Sequence, residues 1–236
     1  MMTYHRGLDS GAETLVVYIE GDGRAFISRR RVSANPTPRE ATALRMALAD
    51  PSAAVAYVAR PCQFLEPLPS SCEPRWWTTH RYAAEAIDAM DKAISELQRR
   101  GGTGRTGLVG YSGGGVIAAL LAQRRSDIDW LVTVAANLDH AAWTAWHEDT
   151  PLSGSLNPAD APEKLAGLPQ LHLAGADDET VPPALVAAFV RRLPATAPVE
   201  FLVIDNAGHD DWADIWPRRV CDFSFWQDAP GCADNR

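Results

Sequence analysis

The chain has 236 residues, of which 46% are hydrophobic, and a formal net charge of −8. This length and composition favour one α/β domain over residues 1–236 with a sizeable core. The acidic balance argues against nucleic acid as a partner. No apolar run approaches the roughly 20 residues of a membrane-spanning helix. Residues 1–10 are polar and are not expected to form a signal peptide.

The first predicted strand is the apolar, β-branched run Thr14–Ile19, which is typical of a strand buried on both faces. It ends in the turn Glu20-Gly21-Asp22-Gly23. A helix is predicted over 37–48, with Thr37 as its N-cap and Glu40 completing a capping box. Residues 55–59 form the second predicted buried strand.

An irregular loop follows the second strand and reaches residue 77. Loops at the carboxyl ends of strands carry the ligand sites of open α/β sheets. We therefore expect four of its residues to line a pocket: Gln63, Phe64, Trp76 and Trp77. The alternative for the two tryptophans is that they cover the edge of the sheet.

The central motif is Gly110-Tyr111-Ser112-Gly113-Gly114-Gly115. An apolar strand at 106–109 precedes it and a helical pattern at 116–122 follows it. Strand, tight turn and helix form the context of a G-x-S-x-G nucleophile elbow, where the serine hydroxyl points away from the sheet. A Gly-rich strand-to-helix turn without catalytic function would have the same local pattern.

The remaining pattern alternates strands and helices. An amphipathic helix at 83–97 precedes the motif, and strands at 130–135, 170–174 and Val199–Ile204 follow it. Helices are predicted at 184–192 and from Trp212. Residues 136–168 are too short for a large cap and are expected to form short helices beside the site, with Trp143 as a pocket residue. The alternation predicts a three-layer α/β/α sandwich with a mainly parallel sheet.

An acid and a histidine follow the serine in the order Ser112, Asp178, His209, each on a loop after a strand. A serine hydroxyl needs a base to take its proton, and that base needs an orienting acid. His209 is the one histidine that follows the acid in a Gly-His loop. The residues alone leave Asp177 and Asp139 open as alternative acids.

The four cysteines fall into two close pairs, Cys62 with Cys72 and Cys221 with Cys232. Local pairing across short Pro-containing loops favours two disulfides and therefore an exported or periplasmic protein. The alternative is four free thiols in a cytoplasmic enzyme. Neither pair has the C-x-x-C spacing of a zinc site, and no metal is expected.

The chain resembles the α/β-hydrolase superfamily through its E-G-D-G turn, its G-Y-S-G-G motif, residues 175–182 and Gly208-His209. The resemblance implies that Ser112 is the nucleophile and Asp178 the acid. It also implies an oxyanion hole formed by the backbone N–H groups of Asp22 and Gly113. Glu20 stands where many members have histidine, and the first strands of the fold are curtailed. The narrower similarity, to bacterial members with E-G-D-G, A-R-P-C-Q and A-N-L-D segments, implies no substrate.

These features predict a serine hydrolase of the carboxylesterase or lipase type. It would cleave small-molecule esters through an acyl-enzyme on Ser112 and would need no cofactor. An acyltransferase or a peptidase would use the same residues. A non-catalytic binding domain on this fold is the alternative from another class, although it would be expected to lack at least one of the three residues.

Overall fold

The computed structural model describes residues 1–28 and 31–233. Its strands are β1 (Thr3–Arg6), β2 (Thr14–Ile19), β3 (Phe26–Ser28), β4 (Arg31–Val32), β5 (Val55–Val58), β6 (Arg105–Tyr111), β7 (Ile128–Val134), β8 (Gln170–Gly175) and β9 (Val199–Ile204). Its helices are α1 (Thr42–Ala49), α2 (Ala84–Gly101), α3 (Gly113–Ala122), α4 (His140–Trp146), α5 (Pro183–Val190), α6 (Trp212–Arg219) and α7 (Pro230–Ala233). None of the helices in these ranges is long and apolar enough to cross a membrane.

Seven strands form the central sheet in the order β1-β5-β2-β6-β7-β8-β9. Only β1 is antiparallel to its neighbour, and the other six strands run parallel. Successive side chains of β2 enter opposite cores: Leu15 and Val17 pack with α2 and α3, whereas Val16 and Tyr18 pack with α1 and α6. The predicted α/β/α sandwich with a mainly parallel sheet is confirmed. Residues 136–168 hold α4 and two short 3₁₀ turns.

Helix α1 begins four residues later than the capping pattern predicts, with Ala41 rather than Thr37 at the N-cap position. The Thr37 hydroxyl accepts a hydrogen bond from the Phe64 N–H (2.7 Å) instead of capping a helix. The helix begins at Thr42, and the Ala43 N–H in its first turn donates to the side chain of Glu20 (3.3 Å). The predicted start was wrong because the capping carboxylate comes from a distant loop.

Two short strand features were not predicted. Strand β1 has only four residues, three of them polar or charged, and lies at the sheet edge. Strands β3 and β4 form a separate antiparallel hairpin of three and two residues. Neither has the long apolar run that marks a buried strand.

Both predicted disulfides are present. The Cα atoms of Cys62 and Cys72 are 5.7 Å apart, and those of Cys221 and Cys232 are 5.4 Å apart, within the range that a disulfide requires. The first disulfide closes the loop after β5, and the second ties the segment after α6 to α7. Each joins residues that are close in sequence, so each staples a local loop.

We expect the unreduced protein to have a lower intact mass than the reduced protein, by one hydrogen atom per cysteine. Reduction should lower the free energy of unfolding by about 2–4 kcal/mol per disulfide, because the unfolded chain regains loop entropy. Intact-mass spectrometry and urea unfolding, each with and without reductant, measure both effects. Alkylation of any cysteine in the unreduced, denatured protein would contradict the pairing.

Candidate active site

Ser112 lies at the apex of the turn between β6 and α3. Its backbone has φ 51° and ψ −124°, a left-handed conformation that a non-glycine residue adopts only under constraint. The Ser112 N–H donates to the Val134 carbonyl (2.8 Å), and the Ser112 carbonyl accepts from the Gly115 N–H (2.9 Å). The turn is therefore fixed both to the neighbouring strand and to the helix that follows.

Close backbone packing explains the glycines of the motif. A Cβ atom on Gly110 would lie 2.4 Å from both the Gly114 carbonyl oxygen and the Gly115 Cα. A Cβ atom on Gly114 would lie 2.2 Å from the carbonyl oxygen of Ile19, the last residue of β2. Only glycine lets β6, α3 and β2 approach this closely around the serine.

The side chains of Ser112, His209 and Asp178 form a hydrogen-bonded chain. His209 Nε2 is 3.0 Å from Ser112 Oγ, and His209 Nδ1 is 2.8 Å from Asp178 Oδ2. The carboxylate can only accept, so the Nδ1–H donates to Asp178 and the Nε2 lone pair faces the serine hydroxyl. Asp178 is buried, and its Oδ1 accepts from the N–H groups of Thr180 (2.9 Å) and Val181 (2.7 Å).

The two alternative acids lie in other environments. Asp177 is exposed, although it adjoins Asp178 in sequence. Asp139 is the N-cap of α4, and its carboxylate is engaged by Asn157 (2.9 Å) and by Arg192 (2.8 Å). Of the three aspartates, the structure brings only Asp178 to His209.

The E-G-D-G turn lies directly against the serine turn. A Cβ atom on Gly21 would lie 3.3 Å from Ser112 Cβ, so the two turns touch. Among the residues that the structure describes, no acceptor takes the N–H of Asp22 or of Gly113. An oxyanion hole requires N–H donors without a protein acceptor, so these two groups stay the predicted donors.

Glu20 connects this turn to the neighbouring helix and strand. Its carboxylate accepts from the N–H groups of Gly21 (3.0 Å) and Ala43 (3.3 Å) and from the Tyr57 hydroxyl (3.1 Å). Burial raises the pKa of Glu20. At this position, where the sequence resemblance led us to note histidine in many members, this chain has a buried carboxyl that links β2, α1 and β5.

The side chain of Asp22 forms a buried ion cluster that local sequence patterns did not reveal. Arg60 Nη1 donates to its Oδ1 (2.8 Å), Arg81 Nη1 to its Oδ2 (2.7 Å), and the Tyr82 hydroxyl also to Oδ2 (2.9 Å). Burial alone would raise the pKa of the Asp22 carboxyl, but the guanidinium groups of Arg81 and Arg60 lower it to about 2. Asp22 was predicted to act through its main chain alone, and its partners lie 38 to 60 residues away.

A cleft of about 630 Å³ contains Ser112 and His209. The predicted pocket residue Trp143 lines it, and so do Phe26 and Ile27 from the β3–β4 hairpin, which no sequence pattern indicated. Within the described ranges no three His, Cys, Asp or Glu side chains come together as a metal site would need.

The other four predicted pocket residues do not line this cleft. Gln63 is buried and donates to the Gly21 carbonyl (3.0 Å), so it supports the E-G-D-G turn. Trp77 packs with Ala25 and Cys62 in a small core. In the structure, the segment 62–77 that carries these residues supports the E-G-D-G turn and a small core rather than the wall of the cleft. Phe64 and Trp76 are only partly buried and pack against core clusters.

The architecture is shared with solved hydrolase structures. Neither protein-family models nor the curated proteins gave a match. Est1E from Butyrivibrio proteoclasticus, solved with ferulic acid, has a TM-score of 0.67 at 12% identity, covering 96% of this chain and 94% of Est1E. An alpha-beta serine hydrolase homologue from Coxiella burnetii has a TM-score of 0.60 at 15% identity, covering 89% and 86%.

A third similar structure is a puromycin-hydrolyzing peptidase from Mycobacterium tuberculosis. Its TM-score is 0.63 at 15% identity, and the match covers 98% of this chain but 38% of the peptidase. These likenesses show that the chain has the α/β-hydrolase fold, as its sequence motifs predicted.

Replacing Asp22 by asparagine tests the buried ion cluster. At neutral pH, Asp22→Asn should lower the free energy of unfolding by about 3 kcal/mol, because two buried guanidinium groups lose their counterion. The pKa of Asp22 is about 2 in the folded protein and 3.8 for an unperturbed aspartate. The wild type therefore loses this stabilisation as the pH falls through this range, and the difference between the proteins should shrink.

Urea unfolding followed by tryptophan fluorescence, from about pH 7 to about pH 3, measures this difference. The control is Asp214→Asn, which removes an exposed ion pair with Arg45 and should change stability little at any pH. A difference between wild type and Asp22→Asn that stays constant with pH would refute the ion cluster.

Proposed function

We propose that the protein is a serine hydrolase that cleaves carboxylic esters through an acyl-enzyme intermediate on Ser112. The observation that carries this proposal is the hydrogen-bonded chain Ser112–His209–Asp178, which lies at a cleft beside two backbone N–H groups that have no acceptor among the described residues. A serine becomes nucleophilic when an oriented imidazole accepts its proton, and this arrangement supplies that imidazole.

The reaction follows from the positions of these groups. His209 Nε2 takes the proton of the Ser112 hydroxyl as its oxygen attacks the ester carbonyl. The N–H groups of Asp22 and Gly113 bind the oxyanion, and each such donor typically contributes roughly 10²–10³ in rate. Asp178 stabilises the imidazolium. His209 then protonates the leaving alcohol and activates the water that releases the acid product.

The alternative reactions use the same residues and differ in the acceptor or the leaving group. An acyltransferase would exclude water in favour of another alcohol or amine, and a peptidase would cleave an amide. The structural neighbours include both esterases and a peptidase. We favour a small-molecule substrate with an apolar or aromatic acyl group, because Trp143, Phe26 and Ile27 lie on the wall of the open cleft beside Ser112. A non-catalytic domain would not need the serine, histidine and acid to be hydrogen-bonded.

The two disulfides support an oxidising compartment such as the periplasm or the extracellular space. Disulfides are rare in the reducing cytoplasm, and both of these pairs are at bonding distance. A mature protein isolated from its native host with free thiols would exclude this location.

Two neighbouring aspartates provide a matched test of the catalytic assignment. Asp178→Asn should lower kcat for hydrolysis of p-nitrophenyl butyrate by roughly 10⁴, because the histidine tautomer is no longer held. Asp177→Asn, which makes the same chemical change at an exposed site one residue earlier, should stay within about twofold of wild type. Steady-state kinetics of the purified variants, with Ser112→Ala as the inactive reference, measure these effects.

A loss in Asp177→Asn that equals or exceeds the loss in Asp178→Asn would overturn the acid assignment. The matching anilide, butyryl p-nitroanilide, separates an esterase from an amidase. Faster turnover of the anilide than of the ester would replace the ester proposal with the peptidase one.

A further inference from the structure

The carboxylate of Asp22, whose side chain is only 18% exposed, lies beside the position where the proposed reaction develops negative charge. A Cβ atom added to Gly113 would meet Asp22 Oδ1 at 2.1 Å, so this carboxylate packs against the residue whose N–H would bind the oxyanion. An unpaired carboxylate here would repel the oxyanion and weaken its binding. The proposed oxyanion hole therefore requires nearby cations that neutralise the negative charge of Asp22.

Two arginines do more than neutralise this charge. Arg60 and Arg81 each form an ion pair with Asp22, and they are only 4% and 6% exposed. The cluster thus holds two cations and one anion, which leaves a net charge of about +1 largely shielded from solvent at the edge of the cleft, where Asp22 and Arg81 lie. The other carboxyl of this turn, Glu20, is directed at Gly21, Ala43 and Tyr57.

The same arginines connect three loops. Arg60 Nη2 donates to the Arg81 carbonyl (2.5 Å), and Arg81 Nε donates to the Thr78 carbonyl (2.8 Å). The side-chain amide of Gln63, three residues after Arg60, donates a hydrogen bond to the Gly21 carbonyl. The loops at 20–23, 60–63 and 78–82 therefore meet at Asp22, and its backbone N–H has little freedom to move away from the serine turn.

We infer that Arg60 and Arg81 are positioning residues for the oxyanion: they fix the Asp22 N–H at the serine and change the local charge from negative to positive. This inference rests on the proposed function. The two arginines should stabilise the transition state more than the bound substrate, because the substrate carbonyl carries much less charge than the oxyanion. A residue that bound the substrate itself would act mainly on KM.

The test compares Arg81→Met, which removes the charge, with Arg81→Lys, which retains it. With p-nitrophenyl butyrate, Arg81→Met should lower kcat by about 10- to 100-fold and leave KM within about threefold. Arg81→Lys should recover kcat to within about fivefold of wild type. Arg45→Met, which removes an exposed ion pair, is the control for loss of an arginine and should match wild type.

A second readout is the inhibition constant of a trifluoromethyl ketone, whose serine adduct carries an oxyanion. This constant should rise across the variants in proportion to the fall in kcat/KM. If Arg81→Met does not fold, as judged by its urea unfolding curve, Arg81→Gln replaces it as the neutral variant.

Three results would overturn the inference: unchanged kcat in the neutral variant, equal losses in the neutral variant and in Arg81→Lys, or a loss confined to KM. The proposed function fails separately, if the wild type does not hydrolyse the ester or if Ser112→Ala hydrolyses it equally well.

Discussion

The strained turn at Ser112 is the constraint on which the site depends. Its left-handed backbone is held by the neighbouring strand and by close contacts that only Gly110 and Gly114 allow. The turn presents the hydroxyl at the carboxyl ends of the parallel strands. The loops that follow β2, β8 and β9 begin at the same edge of the sheet. The sheet therefore brings the E-G-D-G turn, Asp178 and His209 to one edge, although 189 positions separate the first of these from the last.

The E-G-D-G turn also carries two carboxyl groups that are largely removed from solvent. Glu20 is buried and the side chain of Asp22 is 18% exposed, and different partners offset the cost of removing each carboxyl from water. Glu20 receives backbone N–H groups and a tyrosine hydroxyl, whereas Asp22 receives two guanidinium groups. Glu20 thereby connects the turn to α1, and Asp22 connects it to the segment between β5 and α2. Both keep the turn rigid next to the serine.

The sequence predicted the features that depend on local patterns. The apolar runs located β2 and β9 at their observed bounds, and the residue order Ser112, Asp178, His209 indicated the group that the structure brings together. It could not reveal the Arg60–Asp22–Arg81 cluster, because ion pairs between distant loops leave no periodic signal. Local capping chemistry gave the wrong start for α1 for the same reason: its cap is a distant side chain.

Labelling with a fluorophosphonate tests most directly whether Ser112 is an activated nucleophile. We expect one covalent adduct per folded wild-type chain by intact-mass spectrometry, and peptide mapping should place it on Ser112. Ser112→Ala should remain unlabelled, and prior unfolding of the wild type should abolish the adduct. No adduct on the folded wild type, an adduct on another residue, or undiminished labelling of Ser112→Ala would show that Ser112 is not the activated nucleophile.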